Sequence, residues 1–63
     1  MNDVALAKLA TIRRCLQRIR TVTAGDPTRV REIDTQDIVV LNLQRAIQAA
    51  IDLAAHVIAQ SAW

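Results

Sequence analysis

Apolar residues return at steps of three and four along two stretches of the chain, and each stretch predicts a helix. In the later one, Val40, Leu43, Ile47, Ala50, Ala54 and Val57 form a first stripe. Val39, Ala46 and Leu53 form a second beside it, and Ile51 and Ile58 a third. At 100° per residue these positions span roughly 160° of arc, against the ~100° of an ordinary surface helix. In the earlier stretch Ala5, Leu9, Ile12, Leu16 and Ile19 step by four and three, a heptad-like seam. Val4, Cys15 and Val22 widen that seam on one side.

The punctuation between the stretches sets the boundaries. Asn2 or Asp3 can cap the first helix by accepting from amide groups of its first turn. That helix runs over about 3–24, because Gly25 can take the left-handed conformation and Pro27 disfavours helical geometry at Asp26. Residues 25–33 read as an irregular loop or a helical turn. Asp34 or Thr35 caps the second helix, with Asp37 in its first turn, and no Gly or Pro interrupts it over 35–62. Two long helices and a short connection predict an all-α antiparallel hairpin, with residues 1–63 as one unit.

The apolar arc of the second helix is too wide for one neighbour, and the chain supplies only one. A unit of 63 residues is marginal by itself and usually gains a disulfide, a metal or a second copy. With one Cys and one His, neither an internal disulfide nor a single-chain zinc site can form, and no cofactor motif is present. Pairing with a second copy as a four-helix bundle, or cover from a missing remainder, is therefore expected. The chain closes on Gln60-Ser61-Ala62-Trp63, its only aromatic residue last, and reads as cut off inside a larger fold. The start lacks the features of a signal peptide, and a free cysteine fits a reducing cytoplasm. No uninterrupted apolar run approaches the ~20 residues of a membrane span, and Arg45, Asp52 and His56 punctuate the long helix.

Three groups of residues could carry chemistry. Arg45, Gln48, Asp52 and His56 fall on one side of the second helix, read either as an acid–base pair in which Asp52 orients His56 or as a solvated face. Cys15 reads as a reactive thiol beside Arg14 and Arg18 or as a small buried hydrophobe. Arg13, Arg14, Arg18 and Arg20, with Arg29 and Arg31, read either as contacts to phosphates or as a solvated face; they form no single tight stripe, and no aromatic residues are interleaved to stack bases. The net charge of +2 is mild.

Two segments together resemble a known family. Lys8-Leu9-Ala10-Thr11-Ile12-Arg13-Arg14-Cys15-Leu16-Gln17-Arg18-Ile19, following Met1-Asn2-Asp3-Val4, is similar to the opening helix of the HEPN-type (HepT-like) toxins encoded beside a minimal nucleotidyltransferase. The stretch from Asp37 to His56 resembles that family's D-x-V-x-x-N-L-x-R-x-x-x-A-x-x-D-x-A-x-H helix. The resemblance covers nearly all of the chain but only about the first half of a family member. It implies an all-α fold, a symmetric homodimer, cleavage of RNA, and an antitoxin that attaches AMP to a tyrosine of the toxin.

The family's catalytic signature is an arginine, four to six residues, and a histidine, with the tyrosine just after. Counting back from His56, the only histidine, reaches Ile51, Ala50 and Ala49, and the chain has no tyrosine. Those roles transfer to no residue here. Asn42, Arg45, Asp52 and His56 carry over as family-like polar positions that could support an active site from behind. The readings left open are an inactive N-terminal hairpin of such a toxin, a purely structural self-associating module, and a basic hairpin that binds RNA.

Overall fold

The computed structural model describes residues 3–61 as two helices in a hairpin. Helix α1 spans Asp3–Thr23, a short 3-10 turn spans Pro27–Arg31, and α2 spans Ile33–Ser61. Asn2, Ala62 and Trp63, invoked above for the first cap and the chain end, lie outside the described residues. The break falls where the sequence placed it. Gly25 has φ +73°, and Ala24 before it is also left-handed at φ +48°. The chain reverses there, and the amide of Asp26 donates to the carbonyl of Thr23 at 2.8 Å.

The connection is more ordered than an irregular loop. The Asp26 carboxylate accepts from the Thr28 amide at 3.0 Å and the Thr28 hydroxyl at 2.7 Å, capping the turn that Pro27 begins. These bonds hold the Asp26 carboxyl below its ordinary acidity range. Glu32 alone separates the turn from α2. Its backbone is extended, and its carbonyl accepts from the Gln36 amide at 2.9 Å. The expected caps Asp34 and Thr35 therefore sit inside the first turn, and Asp34 takes the first-turn acidic place expected of Asp37. The Thr35 hydroxyl instead donates to the Glu32 carboxylate at 3.4 Å. The physical reason is the capped 3-10 turn, which delivers the chain into helical geometry about two residues early.

The seam between the helices is narrow and made of small or polar side chains. Its buried members are Ala5 and Cys15 on α1, and Thr35, Asn42, Ala46 and Ala49 on α2. Lys8, Ile12, Ile19 and Val22, with Val39, Leu53 and His56, fill the remaining three–four steps half-buried. This corrects the expected seam on α1. Leu9 and Leu16 are 38% and 45% exposed, while Cys15, expected on the flank, is at the centre. On α2 the Val39–Ala46–Leu53 stripe faces α1, and Val40, Leu43, Ile47 and Val57 stay exposed. Small residues let two helices approach closely, and interaxial distance follows the side chains at the contact.

The antiparallel arrangement sorts what lies on either side of that seam. Moving one position past the seam on either helix leads to the same side of the hairpin. Leu9 and Leu16 therefore join Leu43, Ile47, Ala50 and Val57 on one apolar face. The opposite side carries Lys8, Arg14 and Arg18 from α1 and Arg45, Gln48 and Asp52 from α2.

The result is a rod of 48 × 15 × 13 Å with a radius of gyration of 14.4 Å. A compact chain of this length would have a radius near ~11 Å. The surface is 4948 Å², about 900 Å² more than the ~4,000 Å² of a typical 7.0 kDa monomer. Over its 29 residues α2 is long and apolar enough, by length and composition, to cross a bilayer. Averaging over a window passes what the search for an unbroken run did not, and the core helix of a soluble protein meets the same criterion.

Two predictions follow from this packing. Ala49→Leu inserts three carbons into the seam and should cost about 1–3 kcal/mol in urea unfolding followed by circular dichroism. Ala55→Leu, on the outer side of α2, should change stability by less than ~0.5 kcal/mol; equal costs would place the seam elsewhere. At the reversal, Gly25→Ala should lower stability by about 1 kcal/mol and Ala24→Gly should raise it by up to a similar amount. Two changes of the same sign would contradict the left-handed geometry at both positions.

Candidate functional site

On the polar side the two helices leave an open groove of about 710 Å³. Arg14 and Arg18 stand on its α1 wall, and Arg45 stands on its α2 wall with Ile38, Leu41 and Asn42. At one end Lys8 reaches across from α1, and its Nζ lies 3.3 Å from Oδ2 of Asp52. Gln48 donates through Nε2 to Oδ1 of the same carboxylate at 2.9 Å. Both oxygens of Asp52 are thereby engaged, and the Gln48 bond, then the Lys8 bond, hold the carboxyl below its ordinary value of 3.8.

This pair is well exposed, 36% and 40% for the two side chains, so its energetic weight is small. It links residues 44 positions apart in sequence and marks the register of the two helices.

The structure divides the residues singled out in the sequence. Arg45, Gln48 and Asp52 remain together on the groove. Asn42 is buried in the seam, where its Nδ2 donates to the Ile38 carbonyl at 2.8 Å, so its burial leaves no donor orphaned. His56 is half-buried at the α1-facing side of α2. The Asp52 carboxylate bonds to Gln48 and Lys8. Cys15 is a free thiol, 4% exposed in the seam, which fits a small core residue.

The four candidate arginines also separate. Arg14 and Arg18 line the polar groove, while Arg13 and Arg20 lie on the other side beside Leu9, Ile12 and Leu16. Sequence reasoning missed both Lys8 and the grouping of Arg45 with Arg14 and Arg18. The available signal was the three–four step Ala5–Lys8–Ile12, which places a lysine at a seam position where an acidic partner is required. Among the described residues no group of three His, Cys, Asp or Glu side chains could hold a metal ion.

The tether makes a pH prediction. The folded-state acidity of Asp52 is shifted downward, so its ionised form is favoured by folding. That contribution is complete above the ordinary value of 3.8 and is lost as the pH falls through the lowered folded value. Asp52→Asn should therefore lower the urea midpoint at pH 6 and show a shallower acid loss between pH 5 and pH 2 than the parent chain. The residual loss should come largely from Asp26, shifted in the same direction. An acid limb unchanged by Asp52→Asn would show that the Lys8–Asp52 bridge carries no stability.

Over 57 residues, 90% of its length, the chain is 44% identical to an mRNA nuclease HepT of Shewanella oneidensis. The matched part is 43% of that protein, so the chain spans less than half of its relative. No family model matches the chain, and no solved structure matches it. Identity of 44% along nine-tenths of the chain shows that it resembles the HepT-type toxins, as the residues of its two helices indicated, over a part of such a protein.

Proposed function

We propose that these 63 residues act as the N-terminal helical hairpin of a HEPN-type ribonuclease toxin of a toxin–antitoxin pair. The observation that carries this reading is the 44% identity to an mRNA nuclease over 90% of the chain. In this reading the hairpin is scaffold. The Arg-x4-6-His signature and the tyrosine that an antitoxin nucleotidyltransferase would modify are absent from these residues, so the chain alone does not cleave RNA. Asn42, Asp52 and His56 then serve as supports behind a catalytic pair supplied elsewhere, with Arg45 beside them on the open groove. The hydrogen bond of Asn42 to Ile38 and the ties on Asp52 suit such a holding role. The cytoplasm, where messenger RNA and reduced thiols coexist, is the compartment this assigns.

The apolar face belongs to the same proposal. Leu9, Leu16, Leu43 and Ile47 form a surface that one hairpin cannot cover, and Ile47 is 57% exposed. The excess of about 900 Å² matches the ~800 Å² that one partner contributes to a standard interface. A second copy supplies the same surface by two-fold symmetry, completing a four-helix bundle.

The test is light scattering on the purified chain together with an RNA-cleavage assay. The expected result is a mass of twice 7.0 kDa and no cleavage of messenger RNA. Ile47→Glu places an unpaired carboxylate in the apolar interface and should weaken self-association at least ~30-fold. A monodisperse monomer with a cooperative thermal transition would refute the pairing, and RNA cleavage by the 63-residue chain would refute the scaffold role.

A further inference from the structure

We propose that the polar groove binds the phosphodiester backbone of single-stranded RNA, gripped by Arg14 and Arg18 from one wall and Arg45 from the other. The proposal rests on the RNA-related reading above and gives a location to the nucleic-acid contact.

Arg14, Arg18 and Arg45 all line one groove, and no described residue holds any of them in a hydrogen bond or ion pair. Asp52 is the one acid on the groove wall among the described residues, and its two oxygens are already taken by Lys8 and Gln48. It therefore stands at the end of the groove as a neutralised tether and does not repel an incoming anion. Guanidinium forks match phosphate oxygens and are more weakly hydrated than ammonium groups, so they surrender water at modest cost.

Spacing comes next. Arg14 and Arg18 are one helical turn apart, ~6 Å along α1, a distance that neighbouring phosphates of an extended strand can bridge. Arg45 closes the opposite wall, so a strand laid along the groove meets cations on both sides. The groove's other lining residues, Ile38, Leu41 and Asn42 among them, include no aromatic ring on which a base could stack. Binding should therefore follow the backbone and ignore base sequence.

Arg13 and Arg20 provide the internal control. They have the same charge and sit on the same helix, but they line the other side of the hairpin. A diffuse basic surface would use Arg13 and Arg20 as much as Arg14, Arg18 and Arg45, with Arg29 and Arg31 besides, whereas the groove uses only three.

The experiment is fluorescence anisotropy of a labelled oligouridylate titrated with the chain at several salt concentrations. Circular dichroism confirms that each surface variant is folded. Three phosphate contacts on a single strand predict a log–log salt slope of about −2, or a loss of about twentyfold in affinity between 50 and 200 mM salt. The combined variant Arg14→Gln, Arg18→Gln, Arg45→Gln should bind at least tenfold more weakly and lose most of that slope. Arg13→Gln with Arg20→Gln should stay within about twofold of the parent chain.

Equal losses from the two variants would overturn the groove in favour of diffuse charge. No saturable binding by the folded parent chain at 50 mM salt would overturn RNA as the occupant. Displacement of the RNA by poly-glutamate at matched charge would assign the groove to an acidic protein surface instead. Mass and cleavage are read separately, so failure here leaves the scaffold reading standing, and failure there leaves the groove measurement interpretable.

Discussion

A seam of small side chains is the constraint on which this molecule depends. Ala5 and Cys15 on one helix and Ala46 and Ala49 on the other are buried along it, together with Asn42 and Thr35. Small side chains bring helical backbones close but remove little apolar area from water. At roughly 25 cal/mol per Å², four such residues are a thin core for a chain that must also offset the entropy of ordering its backbone. The larger seam residues Ile12, Ile19, Val22, Val39 and Leu53 are only half-buried, and Leu9, Leu16, Leu43 and Ile47 lie outside the seam.

That exclusion has an ordered consequence. In an antiparallel hairpin the residues adjacent to the seam on both helices fall on common sides. One side collects Leu9, Leu16, Leu43 and Ile47, and the other collects Lys8, Arg14, Arg18 and Arg45. A two-helix unit thus acquires one face that seeks an apolar partner and one that seeks an anion. The Lys8–Asp52 bridge spans the polar side at one end of the groove.

The polar residues divide along the same line. Arg45, Gln48 and Asp52 keep company on the groove, whereas Asn42 is drawn into the seam and bonds to the backbone of its own helix. Helix spacing alone cannot separate these cases, because Asn42 and Arg45 are neighbours one turn apart on one helix. What separates them is where the second helix lies, and that is a property of the packing. The same holds for the arginines of α1. Arg13 and Arg14 are adjacent in sequence and end on opposite sides of the hairpin, since 100° of rotation at the edge of the seam is enough to change sides.

Local chemistry was legible without any structure. Two uninterrupted apolar periodicities specified two helices, because each residue's preference is settled within a few neighbours. Gly25 and Pro27 specified the break through backbone sterics that no distant contact can overrule. The residues from Asp37 to His56 carried the family resemblance for the same reason, being a pattern along one helix. The tertiary structure alone decided which of several overlapping stripes became the seam. Leu9 and Leu16 are better hydrophobes than Ala5 and Cys15, and by transfer energy alone they would be inside. Close approach of two backbones favours the smaller side chains, and that preference exists only once a second helix is present to approach.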